Sequence, residues 1–251
     1  MSSKEKAYWI KSGSYSLLDR IVAVLLGLAN LMLLYRAIDK TQFGLWFQFL
    51  IVTAFIEIGR SGLIQNALIR YITTSKKEEI GNINSASLFI NISLSFLSII
   101  ILFLVAHPFA EAYDYPDLIA MFYFYMLTTL MLIPFYQFLF IQQANMDFQG
   151  IFWSNLTYKG LLFLFILFHF LNDYTINIYQ MSRWLFVCAL GGTLAGFIFA
   201  KKYLVFSKTL EWDWVKKLFN FGKYTWGTAL STIAYKSVSY THLTLPTTPY
   251  V

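Results

Sequence analysis

The sequence predicts an all-α polytopic membrane protein: a six-helix N-terminal transmembrane lobe followed by the start of a seventh transmembrane helix. Three observations carry that prediction. Hydrophobic residues fill 58% of the 251 positions and charged residues only 13%, about half the charged share of a soluble domain. The mean hydropathy is +0.57. The apolar residues are gathered into runs of about 20, the length a helix needs to cross a hydrocarbon core of roughly 30 Å. So little charge cannot cover a globular surface in water, which excludes a secreted disulfide scaffold and a typical cytosolic enzyme. The net charge of +6 does not indicate nucleic acid as a partner, because Lys and Arg lie between the apolar runs rather than along one face. Cys188 is the single cysteine, so an intramolecular disulfide is excluded.

The spans follow in order: 15–34, 43–62, 85–106, 118–140, 151–171 and 184–200, with a seventh from about 219 to 235. Connections after spans one, three and five, of about 8–12 residues, are too short to fold separately. The segments 63–84 and 201–218 are longer, basic and amphipathic, suited to an anionic membrane surface. Lys and Arg are distributed unevenly. Thirteen flank one side (Lys4, Lys6, Lys11, Arg60, Arg70, Lys76, Lys77, Lys201, Lys202, Lys208, Lys216, Lys217 and Lys223), whereas the opposite loops hold Arg36, Lys40 and Arg183. The positive-inside rule then predicts a cytoplasmic N-terminus. Because the first apolar stretch is long and lacks a small-residue cleavage site, a cleaved signal peptide is not expected.

Two features concern organisation. Ile10-Lys-Ser-Gly13-Ser-Tyr15-Ser16 before span one is echoed 209 residues later by Phe219-Asn-Phe-Gly222-Lys-Tyr224-Thr225 before span seven. Six intervening helices, an even number, would give both copies the same orientation, the pattern of a parallel six-helix repeat. Residues 1–207 are read as the first lobe and 208–236 as the start of a second. Residues 237–251, with Pro246 and Pro249, break the apolar pattern. They look like the translation of a sequencing adapter and are read as non-native, so His242 is set aside and the chain is read as a fragment.

The stretch Tyr35-Arg36-Ala-Ile-Asp-Lys-Thr-Gln-Phe43-Gly44-Leu-Trp46, with Gly62-Leu63-Ile-Gln65-Asn66-Ala67-Leu68-Ile-Arg70 after it, resembles the N-terminal signature of O-antigen flippase-type polysaccharide exporters. These belong to the multidrug, oligosaccharidyl-lipid and polysaccharide exporter superfamily, and the resemblance covers most of residues 1–236. It implies a two-lobe transporter in the bacterial inner membrane that flips an undecaprenyl-pyrophosphate-linked oligosaccharide for surface polysaccharide biosynthesis. Membrane lipids, and H+ or Na+ as coupling ion, would be the other partners. Family members are about twice this length.

Charged residues within spans are costly and face a cavity or a partner. Arg20, beside Asp19 at the start of span one, offers a planar fork of donors for a pyrophosphate, or pairs with a carboxylate or snorkels to headgroups. Glu57 and Arg60, three residues apart, share a helix face. They form either a structural ion pair near the cytoplasmic interface or a proton-coupling carboxylate beside a phosphate contact. Arg70 closes the exporter-like motif at a cavity mouth or binds anionic lipid. Lys159, in the middle of span five, faces a cavity, or is met by a partner such as a helix-end carbonyl, or lies nearer a span boundary than the apolar pattern indicates. Thus Arg20, Arg60, Arg70 and Lys159 are the candidate substrate contacts, and Asp19 and Glu57 the candidate coupling groups.

The hydroxyl stripe Ser87, Asn91, Ser95, Ser98 and the small-residue stripe Gly192, Gly196, Ala200 are read as helix-packing surfaces, and Pro134 as a kink in span four. His107 and His169 lack acidic partners at a useful spacing, and no metal-ligand or nucleophile motif is present. No enzyme activity, cofactor or metal is therefore expected. The alternatives are a cation-coupled drug or metabolite exporter, which would carry acidic groups deep in its spans, and a membrane enzyme of envelope glycan synthesis, which would carry a large extracytoplasmic loop.

Overall fold

The computed structural model describes residues 3–244, with side chains described for residue 8, residues 11–228 and residue 231. The side chains of Lys4, Lys6, Lys236 and His242, and all of 245–251, lie outside the described residues. Seven long helices follow one another: α1 (Ser3–Ala37), α2 (Lys40–Thr74), α3 (Ile80–Ala112), α4 (Asp117–Ala144), α5 (Phe148–Leu171), α6 (Ile178–Ala200) and α7 (Trp212–Thr244). Helices α1 to α6 are each long and apolar enough to cross a bilayer. The chain is a polytopic, all-α membrane protein.

The helices outrun the apolar runs at both ends, and the connections are correspondingly short. Two residues join α1 to α2, where Asp39 caps α2 by accepting from the Thr41 backbone N–H at 2.7 Å. The basic segment expected at 63–84 as one amphipathic stretch is divided. α2 continues through it to Thr74, a short 3-10 turn spans Lys77–Glu79, and α3 begins at Ile80. His107 and Pro108, expected in a loop, lie inside α3. Nor does the segment after α6 lie free on a membrane surface. Its backbone is pinned to α3, with Ser207 N–H donating to Gly81 O at 3.2 Å and Asn84 Nδ2 to Val205 O at 2.9 Å. α7 is one helix to Thr244, so the polar stretch from 238 continues the helix rather than interrupting it.

Packing is arranged as two apolar layers with a polar layer between. At the end holding the α1–α2 and α3–α4 turns, Phe49, Leu102, Leu118, Phe122 and Ile178 are buried together. At the other end Ile64, Leu68, Ile83, Ile141 and Leu218 form a second core. Asn91, Ser95, Thr128, Thr129 and Gln137 are buried at the intervening height. The serine stripe does pack: Ser87 Oγ accepts from Gln137 Nε2 at 2.7 Å, and Ser95 Oγ donates to Asn91 O at 2.7 Å. Pro134 removes one N–H from α4. Nearby α4 carbonyls take donors from neighbouring helices, Asn91 Nδ2 at Ile133 O (3.1 Å) and Thr193 Oγ1 at Met131 O (3.0 Å). Side-chain donors of this kind let a membrane helix tolerate proline. On α6, a Cβ at Gly192 would stand 2.9 Å from the Phe135 ring and 3.0 Å from Tyr158 Cβ, so this position brings α4, α5 and α6 together.

α7 is seated on α2 by a comparable close approach. A Cβ on Gly222 would fall onto the carbonyl oxygen of Leu63, and Thr225 Oγ1 donates to Gly62 O at 3.1 Å. The matching Gly13 on α1 has open space around it. α1 lies along α5, scarcely touches α2, and exposes Leu17, Ile21, Val24, Leu25 and Leu28.

Candidate functional site

Because α1 leans on α5 and stands off from α2, a seam opens between these three helices, with α4 at its back. Near the end holding the N-terminus the seam widens into a polar cavity of about 390 Å³. α1 contributes Ser16, Asp19 and Arg20; α2 contributes Ser61 and Gln65; α4 contributes Tyr136 and Gln143; α5 contributes Asn155, Tyr158 and Lys159. Helical spacing puts them there: 16, 19 and 20 share one face of α1, and 155 and 159 one face of α5. Asp19 is held by Asn155, whose Nδ2 donates to both carboxylate oxygens at 3.1 and 3.3 Å. Across the cavity, Gln65 Nε2 donates to Gln143 Oε1 at 2.8 Å.

Arg20 and Lys159 form no ion pair among the described residues, where the two ion pairs are Glu57–Arg60 and Asp147–Lys202. The cavity therefore holds two uncommitted cations against one carboxylate that is already hydrogen-bonded. Further along the same seam, at the next turns of α1 and α5 and about three turns away on α2, lies an apolar slit of about 470 Å³. Leu28, Leu31, Trp46, Leu50, Leu162 and Ile166 line it, and its one polar side chain, Asn30, has a buried Oδ1 without a partner. One continuous set of helix faces thus presents a polar, cationic chamber at one height and a hydrocarbon-compatible slit at the next.

The remaining candidates lie elsewhere. Glu57 is the central residue of α2, 17 residues from either helix end, or about 26 Å at 1.5 Å per residue. With α2 extended to Thr74, the pair sits near the middle of that helix. Arg60 is 2% exposed and Glu57 8%. Arg60 Nη2 bonds Glu57 Oε2 at 2.5 Å, Nη1 donates to Ser95 Oγ at 2.7 Å, and the guanidinium lies 4.9 Å from the centre of the Tyr136 ring. Tyr125 Oη approaches Glu57 Oε1 at 3.5 Å. Arg60 is accordingly not one of the flanking charges. It stands behind the cavity, with the Tyr136 ring between it and the chamber. Arg70 is an exposed residue of α2 outside the cavity, its guanidinium 4.6 Å from the centre of the Phe221 ring of α7.

Sequence reasoning missed Gln65, Gln143, Asn155, Tyr136 and Tyr158. Asn155 carried one signal, its i,i+4 spacing from Lys159. The glutamines carried none, since their partnership is formed only when α2 meets α4. His107 Nε2 meets Tyr123 Oη at 3.1 Å, and His169 Nδ1 meets Phe165 O at 2.9 Å. Among the described residues there is no cluster of three metal-ligating side chains.

Comparison of the chain with family models, with curated proteins and with solved structures finds no match.

Proposed function

We propose that this chain is the N-terminal lobe of an exporter that flips a lipid-linked, anionic oligosaccharide across the bacterial inner membrane for surface polysaccharide biosynthesis. The observation that carries the reading is the α1–α2–α5 seam, where a chamber with Arg20 and Lys159 uncommitted adjoins an apolar slit. A substrate with a pyrophosphate head and a polyprenyl tail has the same two halves. Arg20 supplies a forked donor set for phosphate oxygens, Lys159 a point charge, and Ser16, Ser61, Asn155 and the glutamines supply hydrogen bonds suited to sugars. The excess of cation over carboxylate favours this substrate over a cationic drug. Asp19, tethered to Asn155, is the carboxylate placed to take up H+ or Na+ as the head enters. Arg60 and Glu57 support the chamber wall through Tyr136, and Arg70 faces the lipid headgroup region.

The basic turns around Lys76, Lys77, Lys201 and Lys202 favour a cytoplasmic N-terminal end of the lobe. The seating of α7 on α2 through Gly222, with the matching face of α1 open at Gly13, fits two lobes related by a parallel repeat. Rocking of one against the other would give alternating access.

The test is complementation: the complete gene, expressed in a strain lacking its own flippase, is expected to restore surface glycan. Arg20→Ala and Lys159→Ala are expected to reduce export at unchanged protein level. Failure of the unaltered gene to restore export, at normal expression with several glycan types, overturns the flippase reading. Full export by both variants removes the chamber from the substrate path.

A further inference from the structure

The far end of the lobe carries a second cationic site, on a different set of helices. Arg183 lies near the start of α6 and is exposed. Its guanidinium stands 5.5 Å from the centre of the Phe124 ring and 5.8 Å from that of Tyr179. Asp39, Glu111, Asp114, Asp117 and Asp173 occupy the turns and helix ends of this side of the lobe, yet neither ion pair among the described residues involves Arg183. A guanidinium held against ring faces at the rim of a bilayer, with no carboxylate beside it, is an unfilled countercharge position.

The surroundings define what fills it. Arg183, Gln180 and His169 are the polar lining of a cleft of about 510 Å³ between α4, α5 and α6. A second cleft of about 320 Å³, lined by Leu161, Leu164 and Phe168, shares Phe165, His169 and Trp184 with the first. The shared wall is rigid: Trp184 stacks on Phe165 at 4.9 Å and 22°, and its Nε1 donates to Leu161 O at 3.0 Å. Gln180 uses its Oε1 to cap α6, at 3.5 Å from Asn177 N, which leaves its amide N–H groups to donate. His169 faces a carbonyl with Nδ1, so Nδ1 carries the proton and Nε2 is left over. A polar mouth thus stands over two apolar clefts separated by one aromatic wall.

We infer that this cleft binds an anionic glycerophospholipid of the surrounding bilayer, its phosphodiester on Arg183 and Gln180 and its acyl chains along the clefts flanking Trp184. A soluble phosphate ester would leave both clefts empty. A lipid with no net headgroup charge would fill them but leave the charge of Arg183 without a net counter-charge. The site is independent of the export reading, because none of its residues lines the α1–α2–α5 seam.

The test uses the full chain in phosphatidylcholine nanodiscs, into which phosphatidylglycerol or phosphatidylcholine with brominated chains is titrated. Bromine quenches indole on contact, and the Trp184 contribution is the difference between the unaltered protein and Trp184→Phe. Brominated phosphatidylglycerol is expected to quench that contribution at a mole fraction about fivefold lower than brominated phosphatidylcholine, the preference one basic residue supplies at a membrane surface. Arg183→Gln is expected to abolish the preference and Arg183→Lys to retain most of it. Since Arg183 is exposed, unchanged helicity is expected in both variants. Equal quenching by the two lipids, or a preference that survives Arg183→Gln, overturns the assignment. So does reversal of the quenching by inorganic phosphate, which would indicate a site for soluble phosphate.

Discussion

Removing the carboxylate of Glu57 tests the buried layer most directly. Arg60 has lost its water, at 2% exposure, and its charge is balanced by Glu57 alone. Its other contacts are the Ser95 hydroxyl and the Tyr136 ring, and its Nε already lacks a partner. Glu57→Gln keeps the shape and an acceptor but leaves a buried cation uncompensated. Breaking a buried pair in this way costs about 3–5 kcal/mol. For a chain of this size that corresponds to a fall of roughly 10 °C in Tm. The double variant Glu57→Met/Arg60→Leu removes both charges and fills similar volume, and is expected to lie within about 2 kcal/mol of the unaltered protein. The assay is thermal unfolding of the detergent-solubilised chain, followed by circular dichroism for the unaltered protein, Glu57→Gln and the double variant. If Glu57→Gln alone shifts Tm by less than about 2 °C, the charge is compensated by something other than Glu57, and the reasoning fails.

Further expectations follow from the packing. Gly222→Ala drives a methyl into the Leu63 carbonyl and is expected to destabilise the α7–α2 contact by about 1–3 kcal/mol. Disulfide cross-linking between cysteines placed on α2 and α7 reads that loss; Gly13→Ala, in open space on α1, is expected to be neutral or stabilising by up to about 1 kcal/mol, read by Tm. Asp147 accepts from Lys202 at 2.8 Å, from Tyr203 Oη at 3.2 Å and from Gly150 N–H at 3.1 Å. Asp147→Ala is therefore expected to lower Tm clearly, whereas Lys202→Ala, at a half-exposed ammonium, is expected to cost less than about 1 kcal/mol and less still in high salt. Asn91→Leu, which strips the donor from Ile133 O beside Pro134, is expected to cost about 0.6 kcal/mol, the mean for a hydrogen bond between membrane helices. A loss far above 2 kcal/mol would point to a role beyond that bond.

The sequence by itself determined the class of this protein and the order of its six long apolar helices, because a run of about 20 apolar residues has few stable alternatives to a spanning helix. Asp19, Arg20 and Lys159, read as charges in need of a polar surrounding because their cost in hydrocarbon depends on position within a run, line one cavity. Helix ends were less legible. α2 runs on to Thr74 through a segment whose sequence reads as a separate amphipathic stretch, and that extension puts Glu57 and Arg60 near the middle of the helix. Tertiary structure alone decided which helices stand apart. The seam exists because α1 packs on α5 rather than α2, and the pairing of Gln65 with Gln143 and of Asp19 with Asn155 joins residues 78 and 136 positions apart. Local periodicity specifies which face of a helix is polar; which other helix that face meets is set by the packing of side chains such as Gly192 and Gly222 against partners far along the chain.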